Sequence, residues 1–261
     1  MRIMSWNVHG MCGRDGRIDP ERVALVVEEA RPDVAGLQEV GALAGPGALI
    51  DPAGTLARLT GLSHAFGLTE LRAGYPYGNC ILSRFPIAST RSYDLSVPGR
   101  EKRGCLRADL DLGVGRACIH VFNCHLGLDR RERRRQAAQL LSADILRDAA
   151  LAYPLVLVGD FNAWSSRSAV PRWIRRQLSD AAVLARAPRP TFPSVFPVVR
   201  LDRAYVDAAV RVLACEVHDS RLARLASDHL PVVVDVELAP AARTPPPPRP
   251  IQASGVTTEV R

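Results

Sequence analysis

Residues 155–163 read LVLVGDFNA. The stretch opens on five residues without a charge or an amide and then breaks into Asp160-Phe161-Asn162. An apolar run this short, with no polar alternation, predicts a strand over 155–159 that is buried on both faces. Working outward, apolar runs predict further strands over 2–8, 34–37, 79–83, 106–112 and 117–125 upstream, and over 201–206, 210–217 and 232–237 downstream. Asp19 is placed to cap a helix with Pro20 at its first position. Val23, Val26, Val27 and Ala30 mark one apolar face of that helix, and Pro32 stops it. A long helix is expected over 130–148, with Ala137, Leu140, Leu141 and Ile145 facing inward. Many strands with a few long helices indicate α/β layers, and no period of 20–50 residues suggests a solenoid.

The chain has 261 residues, 47% hydrophobic and 23% charged. A domain of this size buries roughly 70–75% of its unfolded surface and needs neither disulfide nor structural metal to fold. The composition argues against wholesale disorder or a fibrous repeat. No apolar run reaches the roughly 18 residues of a membrane-spanning helix. The first seven residues read as a strand rather than a secretion signal, so the expected location is the cytoplasm and the expected state a monomer without stable membrane insertion. The formal charge of +7 favours polyanionic partners such as nucleic acid or anionic lipid, and a generic basic surface carries the same charge. The six cysteines, none in C-x-x-C spacing, read as reduced core residues. Residues 240–261, with four consecutive prolines at 245–248, read as a disordered tail beyond a folded domain spanning 1–239.

Polar residues gather at the strand ends. The predicted strands terminate in Trp6-Asn7, Gln38-Glu39, Asn123-Cys124-His125 and Gly159-Asp160-Phe161-Asn162. A later strand carries Leu201-Asp202, and Ser227-Asp228-His229 precedes the last one. Taken singly, Glu39 reads as a surface charge, Asp160 as a helix cap, Asn162 as a turn residue, and the two histidines as partly buried imidazoles. Carboxylates, amides and imidazoles at six strand termini are harder to produce by turn chemistry alone, and α/β proteins collect their chemical groups at such ends.

The chemistry that fits is metal-assisted phosphoester hydrolysis. A hard cation such as Mg2+, or Mn2+ in its place, takes oxygen ligands and keeps several waters, so Glu39 with Asp228 or Asn7 suffices, and no Cys/His cluster suggests zinc. Asp160 and Asn162 can orient and deprotonate a water from one turn. Histidines can stabilise the negative charge that gathers on the phosphoryl group, and Asp202 is a candidate partner for fixing the tautomer of His229.

These residues stand in SWNVHG at 5–10, LQEV at 37–40, GNCILSRFPI at 78–87, FNCHLG at 122–127, VGDFNA at 158–163, RLDRAYV at 200–206 and SDHLPVVVDV at 227–236. The seven segments, in this order, resemble the endonuclease/exonuclease/phosphatase superfamily, in particular its small stand-alone bacterial members. The resemblance implies a four-layer α/β sandwich: two packed mixed β-sheets flanked by helices, with a site at one edge of the sheets. It implies that Asn7 and Glu39 are the metal pair with Asp228 nearby, that Asp160 and Asn162 position or deprotonate water, and that His125 binds phosphate. Asp202 would then orient His229, while Asn79 borders the scissile phosphate and Arg103 matches an arginine near the substrate. A phosphoric ester hydrolase follows, with three substrate readings. A nuclease or other phosphodiesterase acting on nucleic acid leads; a phosphatase or phospholipase-type hydrolase comes second, and a catalytically silent binding module last. Asn123-Cys124-His125-Leu126 departs from the abasic-site endonuclease motif, and Arg200-Leu201-Asp202-Arg203 departs from that of the inositol 5-phosphatases.

Other features stay open. The arginines of 130–135 could grip a polyanion or simply solvate the start of a helix. Phe192, Phe196 and Trp164 could meet a base or lipid or anchor their loops, and His9 could touch substrate.

Overall fold

The computed structural model describes residues 1–41, 51–113, 118–151 and 154–238. The proline-rich segment 240–261 lies outside the described residues. In chain order the elements are β1 (Arg2–Asn7), α1 (Pro20–Ala30), β2 (Val34–Val40), α2 (Pro52–Thr60), β3 (Ser63–Arg72), β4 (Tyr75–Ser83), β5 (Ile87–Asp94), β6 (Gly104–Leu110), β7 (Ile119–His125), α3 (Arg130–Leu140), β8 (Leu155–Asp160), α4 (Ala169–Ile174), β9 (Ser179–Asp180), α5 (Ala181–Leu184), β10 (Asp202–Val206), β11 (Val210–Val217), α6 (Arg221–Ala226) and β12 (Val232–Leu238). A 3-10 turn, His9–Met11, follows β1.

Two six-stranded mixed sheets result, ordered β11-β12-β1-β2-β4-β3 and β5-β6-β7-β8-β10-β9. Each is built on one parallel pair, β1 with β2 and β7 with β8, and its other pairings are antiparallel. Strand alternation sends every second residue to a different layer. Ile3, Val34, Ile81, Val121, Val156, Val158 and Val234 meet between the sheets. Met4, Trp6, Leu37 and Leu82 face outward onto Val23, Val26 and Val27 of α1, Leu56 of α2 and Ala223 of α6. Phe122, Leu157 and Tyr205 face the other way, onto Ala137 and Leu140 of α3 and Val170 and Ile174 of α4. The layers therefore run helix, sheet, sheet, helix: a four-layer α/β sandwich. Every residue of β8 is buried, as its wholly apolar run requires.

Local chemistry explains the boundaries. Asp19 accepts a hydrogen bond from Arg22 N at 2.9 Å with Pro20 at the first helical position, and the helix closes on Arg31 in the left-handed region. The helix expected over 130–148 is shorter, ending at Leu140. Ser142 Oγ accepts from Asp144 N at 3.2 Å, a local turn that competes with helix propagation. Ala137, Leu140, Leu141 and Ile145 are still buried. β3 and β5 were not expected: both are edge strands whose mostly exposed faces carry little apolar alternation. Cys80, Cys105, Cys124 and Cys215 are buried, and all six cysteines are free.

One polar joint crosses the central layer. Gly36 lets the sheets approach closely, since a Cβ there would lie 2.5 Å from Val158 Cγ2. Beside it, Asn123 of β7 donates to the carbonyls of Leu37 at 2.8 Å and Cys80 at 2.9 Å, and accepts from Gln38 Nε2 at 2.7 Å. Gln38 and Asn123, grouped with the chemical residues by the strand-end pattern, thus link the two sheets.

Candidate functional site

The carboxyl ends of both parallel pairs open at the same edge of the sandwich. The ladder between β2 and β4 is interrupted there: Leu37 pairs with Cys80 but Val40 with Gly78, so two residues stand opposite Asn79. The extra residue is Glu39, at φ 59°, a left-handed conformation that a bulge can hold. The bulge turns its carboxylate into the site. Asn7 Nδ2 donates to Glu39 Oε1 at 3.0 Å and lies 3.1 Å from Asp160 Oδ2, spanning the two sheets. Tyr77 donates its hydroxyl to Glu39 Oε2 at 2.6 Å.

Asp160 ends β8. The backbone N–H of Asn162 donates to Asp160 Oδ1 at 2.8 Å, which leaves Oδ2 facing the site. Around Oδ2 stand Asn7 Nδ2, His125 Nε2 at 3.5 Å and His229 Nε2 at 3.8 Å. Asn162, itself at φ 48°, bonds Leu126 O at 2.8 Å and places its amide 3.2 Å from His125 Nε2. His125 Nε2 is also 3.8 Å from Glu39 Oε1. Asp202, buried at the start of β10, accepts from Thr191 Oγ1 at 2.5 Å and pairs through the same oxygen with His229 Nδ1 at 2.9 Å. Phe192 packs against the His229 ring with 4.9 Å between centroids.

Charge is distributed unevenly over these groups. Burial works against ionisation of Glu39, yet the positive charge of protonated His125 and the donors Tyr77 and Asn7 hold its carboxyl down at about 2. Burial, helped by the Arg103 charge, lowers His125 to about 4. Burial raises Asp160, and nearby Asp202 adds to the effect while His229 opposes it. Burial disfavours charge on His229 too, but the Asp202, Asp160 and Asp228 carboxylates outweigh it and lift the imidazole to about 10.

A pocket lined by Glu39, Tyr77, Asn79, Lys102, Arg103 and His125 adjoins these groups. Asn79 Nδ2 donates to Gly104 O at 2.9 Å, and Glu101 holds Arg103 at 2.7 Å, while the buried Arg103 Nε has no partner among the described residues. Asp228 is more exposed, with its carboxylate 3.5 Å from His9 Nδ1, and Ser227 Oγ ties this loop to Asn7 O at 2.7 Å.

Two groups of donors could hold a metal. Ligand atoms of Asp160, Asp202 and His229 lie within 4.8 Å of one another. There, however, the imidazole is already paired with Asp202 and carries a proton that a metal would have to displace. Glu39 is anionic, and among the described residues each of its oxygens accepts one donor, so lone pairs remain for a hard cation beside Asn7.

Tyr77 and Thr191 were not expected to touch these residues. The signal for Tyr77 was its spacing, two residues before Asn79 on one strand and therefore on the same face. Thr191 stands eleven residues from Asp202, a distance in sequence that periodicity does not bridge. The arginine run divides: Arg130, Arg131, Arg134 and Arg135 are exposed, whereas Arg133 is buried and donates to the carbonyls of Gly127 at 3.1 Å and Leu128.

Residues 4–229 match the model of the Endonuclease/Exonuclease/phosphatase family. The uncharacterized protein YbhP of Escherichia coli K12 is 36% identical over 175 residues, covering 67% of this chain and 68% of YbhP. An endonuclease/exonuclease/phosphatase from Beutenbergia cavernae superposes with a TM-score of 0.74 at 29% identity, over 92% of this chain and 72% of that one. The mannosyl-6-phosphatase Bt3783 of Bacteroides thetaiotaomicron shares the fold with a TM-score of 0.75 at 19% identity, over 91% of this chain and all of its own. The chain belongs to the endonuclease/exonuclease/phosphatase family, whose members are hydrolases of phosphate esters.

Proposed function

We propose that the protein is a Mg2+-dependent phosphodiesterase that cleaves nucleic-acid phosphodiester bonds by in-line attack of water, its catalytic domain spanning 1–239. The observation that carries the reading is the convergence on Asp160 Oδ2, at the end of β8, of Asn7 and His229 from the first sheet and its loop before β12 and of His125 from the second sheet, with Glu39 alongside. Glu39 and Asn7, with Asp228 nearby, would hold the cation. When bound, the cation neutralises charge on the phosphoryl oxygens.

The remaining chemistry is the protein's own. Asp160, raised by burial, is suited to take a proton from the attacking water, and the Asn162 N–H fixes its rotation. His229 is an imidazolium at neutral pH, oriented through Nδ1 by Asp202, with Nε2 free to donate to the leaving oxygen or the developing charge. His125, held by the Asn162 amide at 3.2 Å, lies between the carboxylates and Arg103 and lines the pocket that would take the phosphate. Asn79 and Arg103 border the pocket that would take that phosphate. Exposed Arg130, Arg131, Arg134 and Arg135 follow the His125 loop and supply charge for a polyanionic backbone.

A second reading rests on the loops beside the site. Leu128, Trp164, Val195, Phe196 and Val198 are all exposed, Phe196 by 75%. Aromatics alone would suit bases, but aliphatic neighbours also suit a lipid phosphodiester. Turnover of plasmid DNA, bis-p-nitrophenyl phosphate, a phospholipid and a phosphomonoester, each with Mg2+ and with EDTA, decides between them. Hydrolysis of the phospholipid alone would replace the nucleic-acid reading, and metal-independent turnover would remove both.

A further inference from the structure

We propose that Tyr77, pinned by Arg72, is a positioning residue for the divalent ion: its hydroxyl fixes the Glu39 carboxylate so that the carboxylate's remaining lone pairs face the pocket. The inference rests on the reading of Glu39 as a metal ligand.

Glu39 sits on a bulge and has no regular ladder on its far side to restrain it. Its carboxylate is free to rotate unless something holds both oxygens. Asn7 holds Oε1, and Tyr77, buried on β4, holds Oε2 at 2.6 Å. A carboxylate oxygen has two acceptor positions, so one donor on each leaves one position per oxygen for a cation and sets its direction.

The phenol is itself held from behind. The Arg72 guanidinium lies over the ring at 3.4 Å from its centroid. Arg72 Nε donates to Glu70 Oε1 at 2.5 Å, and Glu70 is the cross-strand neighbour of Tyr77. Arg72 also binds Glu101, whose other oxygen holds Arg103 at 2.7 Å. The β3–β4 hairpin of one sheet is thus fastened to the loop entering β6 of the other, and the phenol has one place to stand. None of this is needed to fill the core, which a phenylalanine would do equally well. The hydroxyl is the part that acts on Glu39. A buried phenol that merely needed a partner could have used a backbone carbonyl.

The experiment is a Mn2+ titration of the full-length protein, with the free aqueous ion followed by electron paramagnetic resonance, on wild type, Tyr77→Phe and Glu39→Gln. Groups that orient a metal ligand typically change metal affinity by about 10–100-fold. Tyr77→Phe is expected to weaken Mn2+ binding by about 10-fold, with turnover recovering at saturating Mn2+. A merely structural role would lower the melting temperature in EDTA and leave the Mn2+ affinity unmoved, which would overturn the proposal. Glu39→Gln separates the two levels of inference. If it binds Mn2+ as tightly as wild type, Glu39 is no ligand and the underlying reading fails. If it loses binding while Tyr77→Phe keeps wild-type affinity, only the role of Tyr77 fails. Should Tyr77→Phe not fold, Arg72→Met, which unpins the ring and keeps the hydroxyl, is expected to weaken binding by a smaller factor. Wild-type affinity in that variant would equally overturn the proposal.

Discussion

In the first sheet the parallel pair β1–β2 is flanked by β12 with β11 on one side and by β4 with β3 on the other; in the second, β7–β8 is flanked by β6 with β5 and by β10 with β9. The paths match down to the register. Asn7 stands opposite Gln38 as His125 stands opposite Asp160, and the next N–H bonds back in the same way, Val8 to Gln38 O and Leu126 to Asp160 O. The sheets part at the following residue. β8 and β10 stay in register to the end, Asp160 opposite Asp202, while β2 bulges away from β4 at Glu39. Gln38 therefore occupies the place of Asp160 but turns into the joint between the sheets, and the carboxylate of the first half is displaced by one residue. That displacement decides its chemistry. Glu39 reaches Tyr77 and Asn7 and stays ionised, whereas Asp160 is buried beside another carboxylate and its pKa rises. One topology used twice yields a fixed anion in one half and a buried carboxylate in the other, for which the role of proton acceptor is proposed.

Exchanging the two carboxylates' roles is the strongest way to break this comparison. Asp160→Asn is expected to lose about 10²–10⁴-fold in kcat on bis-p-nitrophenyl phosphate, the usual size of a general-base contribution, while retaining Mn2+ affinity. Glu39→Gln is expected to lose Mn2+ affinity first and turnover as a consequence. Undiminished turnover in Asp160→Asn removes the assignment of the base, and equal loss of metal binding in both variants erases the division between the halves.

The pH profile sharpens it. Activity is expected to rise as Asp160 gives up its proton, above the ordinary carboxylate range because burial raises it, and to fall as His229 loses its own near about 10. Asp202→Asn removes the charge that lifts His229, so the alkaline limb of log kcat against pH moves to lower pH. Stability follows with a definite sign. His229 binds its proton more tightly folded, at about 10 against 6.5 unfolded, so its contribution is complete below about 6.5 and fades as pH rises towards 10. Asp202→Asn should remove most of that alkaline decline in urea midpoints. An unmoved alkaline limb would show that another group sets it.

Much of this was legible in the sequence. The buried strand 155–159 and the polar residues ending its neighbours place the edge where the site lies, because strand period and apolar runs depend on local spacing alone. The bulge at Glu39 was not legible, since no glycine or asparagine marks its left-handed backbone. Nor was the joint. Asn123 and Gln38 carry the same amide chemistry as Asn7 and Asn162, and only the partner sheet shows that they face the interior. Asn123→Ala takes the Asn123 donor from the carbonyls of Leu37 and Cys80, while the Gln38 amide keeps its bond to Gly36 O at 3.0 Å. A loss of about 1–3 kcal/mol for each buried group so exposed is the expected range, read from urea unfolding. A loss under about 0.5 kcal/mol, the size of an ordinary surface substitution, would mean that the sheets do not depend on this link.

The smallest effects are expected where the helix after His125 meets solvent, and they divide one run of identical residues. Arg133 is buried against the carbonyls of Gly127 and Leu128, and Gly127 N in turn donates to Gln136 Oε1 at 2.8 Å, so this arginine holds the loop that follows His125. Arg131, two residues earlier, is exposed. Arg133→Ala is expected to cost about 1–3 kcal/mol of stability by leaving buried carbonyls unpaired, with no specific change in the salt dependence of DNA binding. Arg131→Ala is expected to leave stability within about 0.5 kcal/mol and to flatten the slope of log K against log salt by about 1, the loss of one phosphate contact. The contrast tests the substrate reading because it needs no turnover. If both variants keep the wild-type salt slope, the exposed arginines solvate a helix and the polyanion must bind elsewhere. If Arg131→Ala alone changes it, the helix start that follows the phosphate-side histidine is where the strand passes.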